Sequence, residues 1–230
     1  MEFRKENTPV MTSTFEGEDT LRRDLAKLGK RLHRLGFMPG TSGNLSVRLD
    51  SKFILATPTG VSKFMVKKED MVIVDLDGHQ YSGSRKVTSE IGMHLAVYNG
   101  RDDINAVVHS HPPIATAFAC AGRALDEPLC SEAIMTLGPV PLARYATTGT
   151  DEVADSLAEF IPEHEAILMA NHGVVTYGKT LLDAFMKMET VEHFAQITLI
   201  VDQLGSASPI QKDQLAALLD ARTRYVVNAG

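Results

Sequence analysis

The sequence is poor in cysteine: Cys120 and Cys130 are the only two in 230 residues, and they form no C-x-x-C pair. That leaves no material for a disulfide framework or a closed thiolate zinc site, and it fits a reducing compartment. Positive charge is also short. Lys and Arg number 23 against 29 Asp and Glu, a formal net charge of -6, whereas nucleic-acid binding needs clustered basic residues. The one basic cluster, Arg22, Arg23, Lys27, Lys30, Arg31 and Arg34, is interleaved with leucines at helical spacing, so it reads as the wet face of an amphipathic helix. No apolar run approaches the roughly 20 residues that span a bilayer. Residues 1–17 are polar and lack the apolar stretch of a signal peptide. They are expected to form a flexible tail, with Met11 a candidate start, ahead of one catalytic-size domain over residues 18–230. Internal repeats, low-complexity tracts and a Walker G-x-x-x-x-G-K-[ST] are missing too, which disfavours a nucleoside triphosphate. What remains is a cytoplasmic enzyme or small-molecule binding protein.

What is present is an irregular alternation of helix and strand patterns. Leu21, Leu25, Leu28, Leu32 and Leu35 predict a first helix stopped by Gly36. Strands are expected at 45–49, 53–57, 71–76, 105–110, 140–143, 166–170 and 174–177, with a hairpin signal at Asp75-Leu76-Asp77-Gly78. Helices are expected at 88–98, 114–121, after Thr150 to 160, from a Thr180-x-x-Asp183 cap to Gly205, and from Ser208-Pro209 onward. The crossovers of a doubly wound parallel sheet are not regularly spaced. A single α/β domain with a largely antiparallel sheet is the simplest architecture.

The chemistry concentrates in histidines. In Val107-Val108-His109-Ser110-His111-Pro112, residues two apart on a strand share a face, so His109 and His111 project together. They are either two ligands of one metal or two ordinary histidines at a strand end. His172 weights the first reading. It follows the apolar run 166–170 and precedes Gly173, and three imidazoles with an open fourth position are the pattern of catalytic zinc. His33, His79, His164 and His193 read as structural or surface residues. His94 stands four residues after Glu90 on one helix, placed to support Glu90 by a hydrogen bond, to pack, or to ligate.

Three loops are rich in hydroxyls and glycine: Thr41-Ser42-Gly43-Asn44, Thr57-Pro58-Thr59-Gly60 and Thr88-Ser89. Each offers hydroxyls and backbone amides to a phosphate, and each is also ordinary turn composition. Glu90, directly after the third loop, is a general base if it lies beside a metal, and a helix-dipole acid if it does not.

Together these motifs resemble the class II aldolase/adducin family, and within it the fuculose-phosphate aldolases. The carriers are Thr41-Ser-Gly-Asn-Leu-Ser46, Thr57-Pro-Thr-Gly60, Ser89-Glu90, Met93-His-Leu-x-x-Tyr98, Asn105-Ala-Val-Val-His-x-His111, Tyr145-Ala-Thr-x-Gly149 and Asn171-His-Gly173. The resemblance implies a three-layer αβα sandwich around a mostly antiparallel sheet. It implies a C4 homotetramer with active sites at subunit interfaces. It implies one divalent ion per subunit, zinc first and manganese or cobalt next, on His109, His111 and His172. Glu90 matches the family's acid/base. Thr41, Asn44, Thr59, Gly60, Thr88 and Ser89 match its phosphate loops. Tyr225 matches a tyrosine that reaches the site from a neighbouring subunit. The implied reaction is cleavage of a ketose 1-phosphate to dihydroxyacetone phosphate and an aldehyde. The fold's other reactions are dehydration of methylthioribulose 1-phosphate, 4-epimerisation (where Asp usually replaces Glu90) and sugar-acid-phosphate decarboxylation. The non-catalytic adducin-like modules lack the histidines. One departure stands out: the fuculose-phosphate aldolases carry a second tyrosine near the position of Cys130. A less polar residue there implies a substrate with an apolar tail, such as a 5-deoxy- or 5-methylthio-pentulose 1-phosphate.

Overall fold

A computed structural model describes residues 15–228, with side chains to residue 222. The expected tail falls almost wholly on residues 1–14, outside the described residues. The helices are α1 (Glu18–Arg34), α2 (Ile91–Gly100), α3 (Pro113–Cys120), α4 (Ser131–Thr136), α5 (Asp151–Leu157), α6 (Leu181–Leu204) and α7 (Lys212–Asn228). The strands are β1 (Asn44–Arg48), β2 (Phe53–Ala56), β3 (Val72–Asp75), β4 (Gln80–Ser82), β5 (Ala106–Ser110), β6 (Leu142–Ala143), β7 (Ala166–Met169) and β8 (Gly173–Gly178).

The strands form one sheet in the order β4-β3-β2-β1-β5-β8-β7-β6. Every pairing is antiparallel except β6 with β7. Alternation along each strand divides the core between the two faces. Leu45, Val47, Val108, Leu168 and Val174 point to one side, where they meet α1, α3, α4 and α6. Val107, Ile167, Val175 and Tyr177 point to the other, where they meet α2 and α5. The result is the expected three-layer αβα sandwich with a mostly antiparallel sheet. Among the described residues no helix is long and apolar enough to cross a membrane.

Several boundaries differ from the sequence reading, each for a local reason. Thr150 precedes α5 but its hydroxyl donates back to Thr147 O, so it does not cap the helix by side chain. Thr180 does cap α6, accepting from the Asp183 N–H at 3.1 Å. The reciprocal half of a capping box is missing, because the Asp183 carboxylate accepts instead from Lys179 N and Lys187 Nζ. The last helix starts at Lys212, not at Ser208-Pro209. The Ile210 N–H donates to Pro128 O at 2.8 Å, which holds this stretch against the rest of the chain before the helix can begin. Helix α4 was not expected at all.

Candidate metal centre and acid

β5 and β8 are neighbours near the middle of the sheet, and the histidines gather at one end of that pair. His109 is the fourth residue of β5 and is fully buried. His111 lies one residue past the strand, where its N–H donates to Phe37 O at 2.8 Å. His172 sits in the turn between β7 and β8, after Asn171 in a left-handed conformation with φ 57°. Ring centroids are 4.7 Å apart for His109–His111, 4.7 Å for His109–His172 and 5.4 Å for His111–His172. One nitrogen from each ring lies within 4.8 Å of the others.

Gly173 makes this convergence sterically possible. A Cβ at this position would meet Ser110 O at 2.7 Å, His111 Cδ2 at 2.8 Å and His109 Cε1 at 3.3 Å.

The donor set fits a divalent ion. His109 Nδ1 lies 2.9 Å from Val174 O, a pairing that fixes its proton on Nδ1 and turns the Nε2 lone pair into the cluster. His109 Nε2 and His111 Nδ1 are buried without a hydrogen bond. Burial pushes His109 down to about 3, against the opposing pull of Glu90, so the ring is neutral and able to ligate. Burial also lowers His111, helped by the neighbouring His172. Asp75, Asp77 and His79 also cluster, but on an exposed turn where Asp75 Oδ1 already accepts the N–H groups of Asp77 and His79.

Glu90 faces the histidines. It is the N-cap of α2, yet its carboxylate makes no cap bond to the helix. Oε1 lies 3.0 Å from His172 Nε2, and Oε2 lies 3.5 Å from His109 Nε2. Asn44 Nδ2 donates to Oε2 at 2.7 Å. Burial alone would raise the Glu90 carboxyl; the imidazoles of His109 and His172 and the Asn44 amide outweigh it and hold the carboxyl well below its usual range. His94 does not reach Glu90 directly. Asn44 stands between them, with its Oδ1 2.5 Å from His94 Nε2.

The three hydroxyl loops are tied to one another. Leu45 N donates to Thr57 Oγ1, Thr88 N to Thr57 O, and Thr59 N to Lys86 O. Asn44 and Thr88 are buried; Thr41, Thr59, Gly60 and Ser89 are exposed. Glu90 and Ser89 line a cleft together with Gly149 and Thr150. Beneath the first two loops lies Lys63, 1% exposed, with its ammonium donating to Thr41 O and Val61 O. Among the described residues no carboxylate pairs with it. Burial lowers it to about 8, and the Glu90 charge partly offsets that. Nothing in the sequence distinguishes Lys63 from a surface lysine. Ser46 and Gly173, by contrast, stand within the motifs that carry the family resemblance. Cys130 is the N-cap of α4 and packs, half-buried, against the core on the α1 face. The Tyr225 side chain lies outside the described residues, on α7.

The family model for the class II aldolase and adducin N-terminal domain matches residues 23–199. The chain belongs to this family. It is 36% identical to 5-deoxy-D-ribulose 1-phosphate aldolase of Bacillus thuringiensis over 199 residues, covering 86% of this chain and 92% of that one. It is 33% identical to 3-oxo-tetronate 4-phosphate decarboxylase of Pectobacterium atrosepticum, over 82% of this chain and 88% of that one. Among solved structures it superposes on an L-fuculose 1-phosphate aldolase with a TM-score of 0.81 at 34% identity, covering 88% and 95% of the two chains. Family membership supports lyase chemistry of the aldolase type.

Proposed function

We propose that this class II aldolase/adducin chain is a divalent-metal-dependent aldolase that cleaves a ketose 1-phosphate to dihydroxyacetone phosphate and an aldehyde. One observation carries the reading: the Glu90 carboxylate lies 3.0 Å from His172 Nε2 and 3.5 Å from His109 Nε2, at the edge of three convergent imidazoles. His109, His111 and His172 hold one ion per subunit, zinc by the preference of an all-imidazole set, with manganese or cobalt able to use the same donors. When bound, the ion supplies Lewis-acid polarisation of the sugar oxygens next to the bond that breaks. As C3–C4 cleaves, the C4 hydroxyl gives up its proton to become the aldehyde carbonyl, and Glu90, having taken up a proton, delivers one to C3; in the direction of synthesis Glu90 removes that C3 proton and the new C4 alkoxide is protonated. Thr41, Asn44, Thr59, Gly60, Thr88 and Ser89 take the phosphate, and the buried Lys63 ammonium adds positive charge at that end. Tyr225 closes the site from a neighbouring subunit of a C4 homotetramer. The composition fits the cytoplasm. No lysine Schiff base is required, so borohydride with substrate leaves the enzyme active.

The likeness to a 5-deoxy-D-ribulose 1-phosphate aldolase, with Cys130 near the position at which the resemblance to the fuculose-phosphate aldolases implies a tyrosine, favours a 5-deoxy- or 5-methylthio-pentulose 1-phosphate over L-fuculose 1-phosphate. The second reading is a sugar-acid-phosphate decarboxylase, favoured by the relative of that activity. A substrate panel separates the two: ketose 1-phosphates with coupled detection of dihydroxyacetone phosphate, and a 3-oxo sugar-acid phosphate with detection of carbon dioxide. An aldehyde released together with dihydroxyacetone phosphate from a ketose 1-phosphate marks the aldolase; carbon dioxide released from the 3-oxo sugar-acid phosphate, which leaves dihydroxyacetone phosphate as well, marks the decarboxylase; the dehydratase and the epimerase yield neither carbon dioxide nor an aldehyde fragment. A purified protein that binds no divalent ion and turns over none of these would be an adducin-like module instead.

A further inference from the structure

A row of polar side chains leads from Glu90 into the interior between β1 and α2. Asn44 Nδ2 donates to Glu90 Oε2 at 2.7 Å. Asn44 Oδ1 faces His94 Nε2 at 2.5 Å, His94 Nδ1 faces Ser46 Oγ at 2.7 Å, and Ser46 Oγ faces Tyr98 OH at 2.8 Å. Asn44, Ser46, His94 and Tyr98 are 2%, 0%, 0% and 1% exposed. The match is geometric. Two residues along a strand advance about 6.8 Å, and four along a helix about 6 Å. Asn44 and Ser46 on β1 therefore stay in step with Glu90 at the N-cap of α2 and with His94 and Tyr98 within it.

The polarity of the row follows from its ends. An ionised carboxylate only accepts, so the Asn44 amide turns its NH₂ toward Glu90 and its carbonyl toward His94. A carbonyl only accepts, so His94 Nε2 carries a proton. Burial pushes His94 down to about 4, so near neutral pH the ring holds one proton and Nδ1 is an acceptor. Ser46 then donates to Nδ1 and accepts from Tyr98, whose phenol burial raises above its usual range and keeps protonated. Every N–H and O–H in the row points toward Glu90, and each bond polarises the next.

We propose that His94, backed by Ser46 and Tyr98, is a positioning residue that holds the Asn44 amide with its NH₂ toward Glu90. With the amide reversed, two acceptor oxygens would meet and Glu90 would lose its donor. The proposal rests on the reading of Glu90 as the group that moves the substrate proton. It also explains why an N-cap carboxylate is held away from its own helix.

The test has two arms on the metal-loaded, full-length protein. In the first, ¹⁵N NMR of the histidine side chains reads the tautomer of His94 at neutral pH. The expected result is a neutral ring protonated on Nε2 alone; a ring protonated on Nδ1, or on both nitrogens, overturns the proposal whatever reaction the enzyme performs. In the second, His94→Phe removes the donor, His94→Gln restores an N–H, and Tyr98→Phe removes only the far end of the row. His94→Phe should lower kcat by at least about tenfold, as loss of an orienting partner does. KM should stay within about threefold and metal content should be unchanged. His94→Gln should recover part of the loss. Unchanged kcat in His94→Phe sinks the proposal. If that variant does not fold, unchanged kcat in Tyr98→Phe with no shift of the His94 nitrogen resonances sinks it equally.

Discussion

Gly173 lies against His111 so closely that a methyl group in place of its hydrogen would sit 2.8 Å from the imidazole Cδ2 and 2.7 Å from the main-chain oxygen of Ser110. The ring can rotate away, but the backbone oxygen cannot. Gly173→Ala should therefore displace the β5–β8 ladder at the point where the histidines converge. We expect the purified variant to carry well under one ion per chain, measured by atomic absorption, while circular dichroism stays close to that of the parent. Full metal occupancy in the variant would mean that this close approach is unimportant.

Glu90→Gln keeps the shape of the side chain and removes its charge. General acid–base groups contribute about 10²- to 10⁴-fold, so turnover should fall by at least about a hundredfold while metal content stays at the parent value. Chelation acts on the other half of the site: it should abolish turnover, and adding zinc, manganese or cobalt should restore it. A Glu90→Gln enzyme that retains its rate removes Glu90 from the proton transfer.

Lys63 gives a pH dependence with a definite sign. Its lowered value of about 8 means that the ammonium loses its proton as the pH rises through that point. Affinity for the sugar phosphate should weaken there, seen as KM rising between pH 7 and 9. Lys63→Met should raise KM at pH 7 and abolish this alkaline limb. A KM that is flat across the range in the parent protein would show that Lys63 serves only to join the loops through Thr41 O and Val61 O.

His94 links the same interior to acid stability. Burial holds its folded value near 4, below the ordinary 6.5. The unfolded chain therefore binds the extra proton first. The stabilising share of the neutral ring is complete above pH 6.5 and is lost as the pH falls toward 4, on the order of 3 kcal/mol in all. In chelator-treated protein, melting temperature should drop between pH 7 and pH 5, and the drop should be smaller in His94→Gln. Equal drops in the two would place the proton elsewhere.

Much of this was legible in the sequence because it is written in short-range periodicity. The alternation of Val107 and Val108 puts His109 on a definite face, and the glycine after His172 announces crowding. The row behind Glu90 was not legible. Asn44 and Glu90 are 46 residues apart, and their meeting depends on how α2 docks against β1, a tertiary register with no local signature. Proximity along one helix paired His94 with Glu90, whereas the structure inserts Asn44 between them. Lys63 was invisible for the same reason, since its burial depends on the packing of α1 and two loops. Helix α4 is six residues long, too short for a periodic pattern to show. α7 starts later than Ser208-Pro209 suggests because Pro128, distant in the chain, takes the Ile210 N–H.

The tie between His109 Nδ1 and Val174 O fastens one imidazole to the ladder of the central sheet. Swinging that ring costs this hydrogen bond inside a fully buried environment, so the sheet holds it in place. His172 hangs from a turn, and the ring contact it makes, Nε2 to Glu90 Oε1 at 3.0 Å, is to a side chain and not to the sheet. Cations of unequal radius would thus be accommodated asymmetrically, with the turn side breathing and the strand side acting as a fixed jaw.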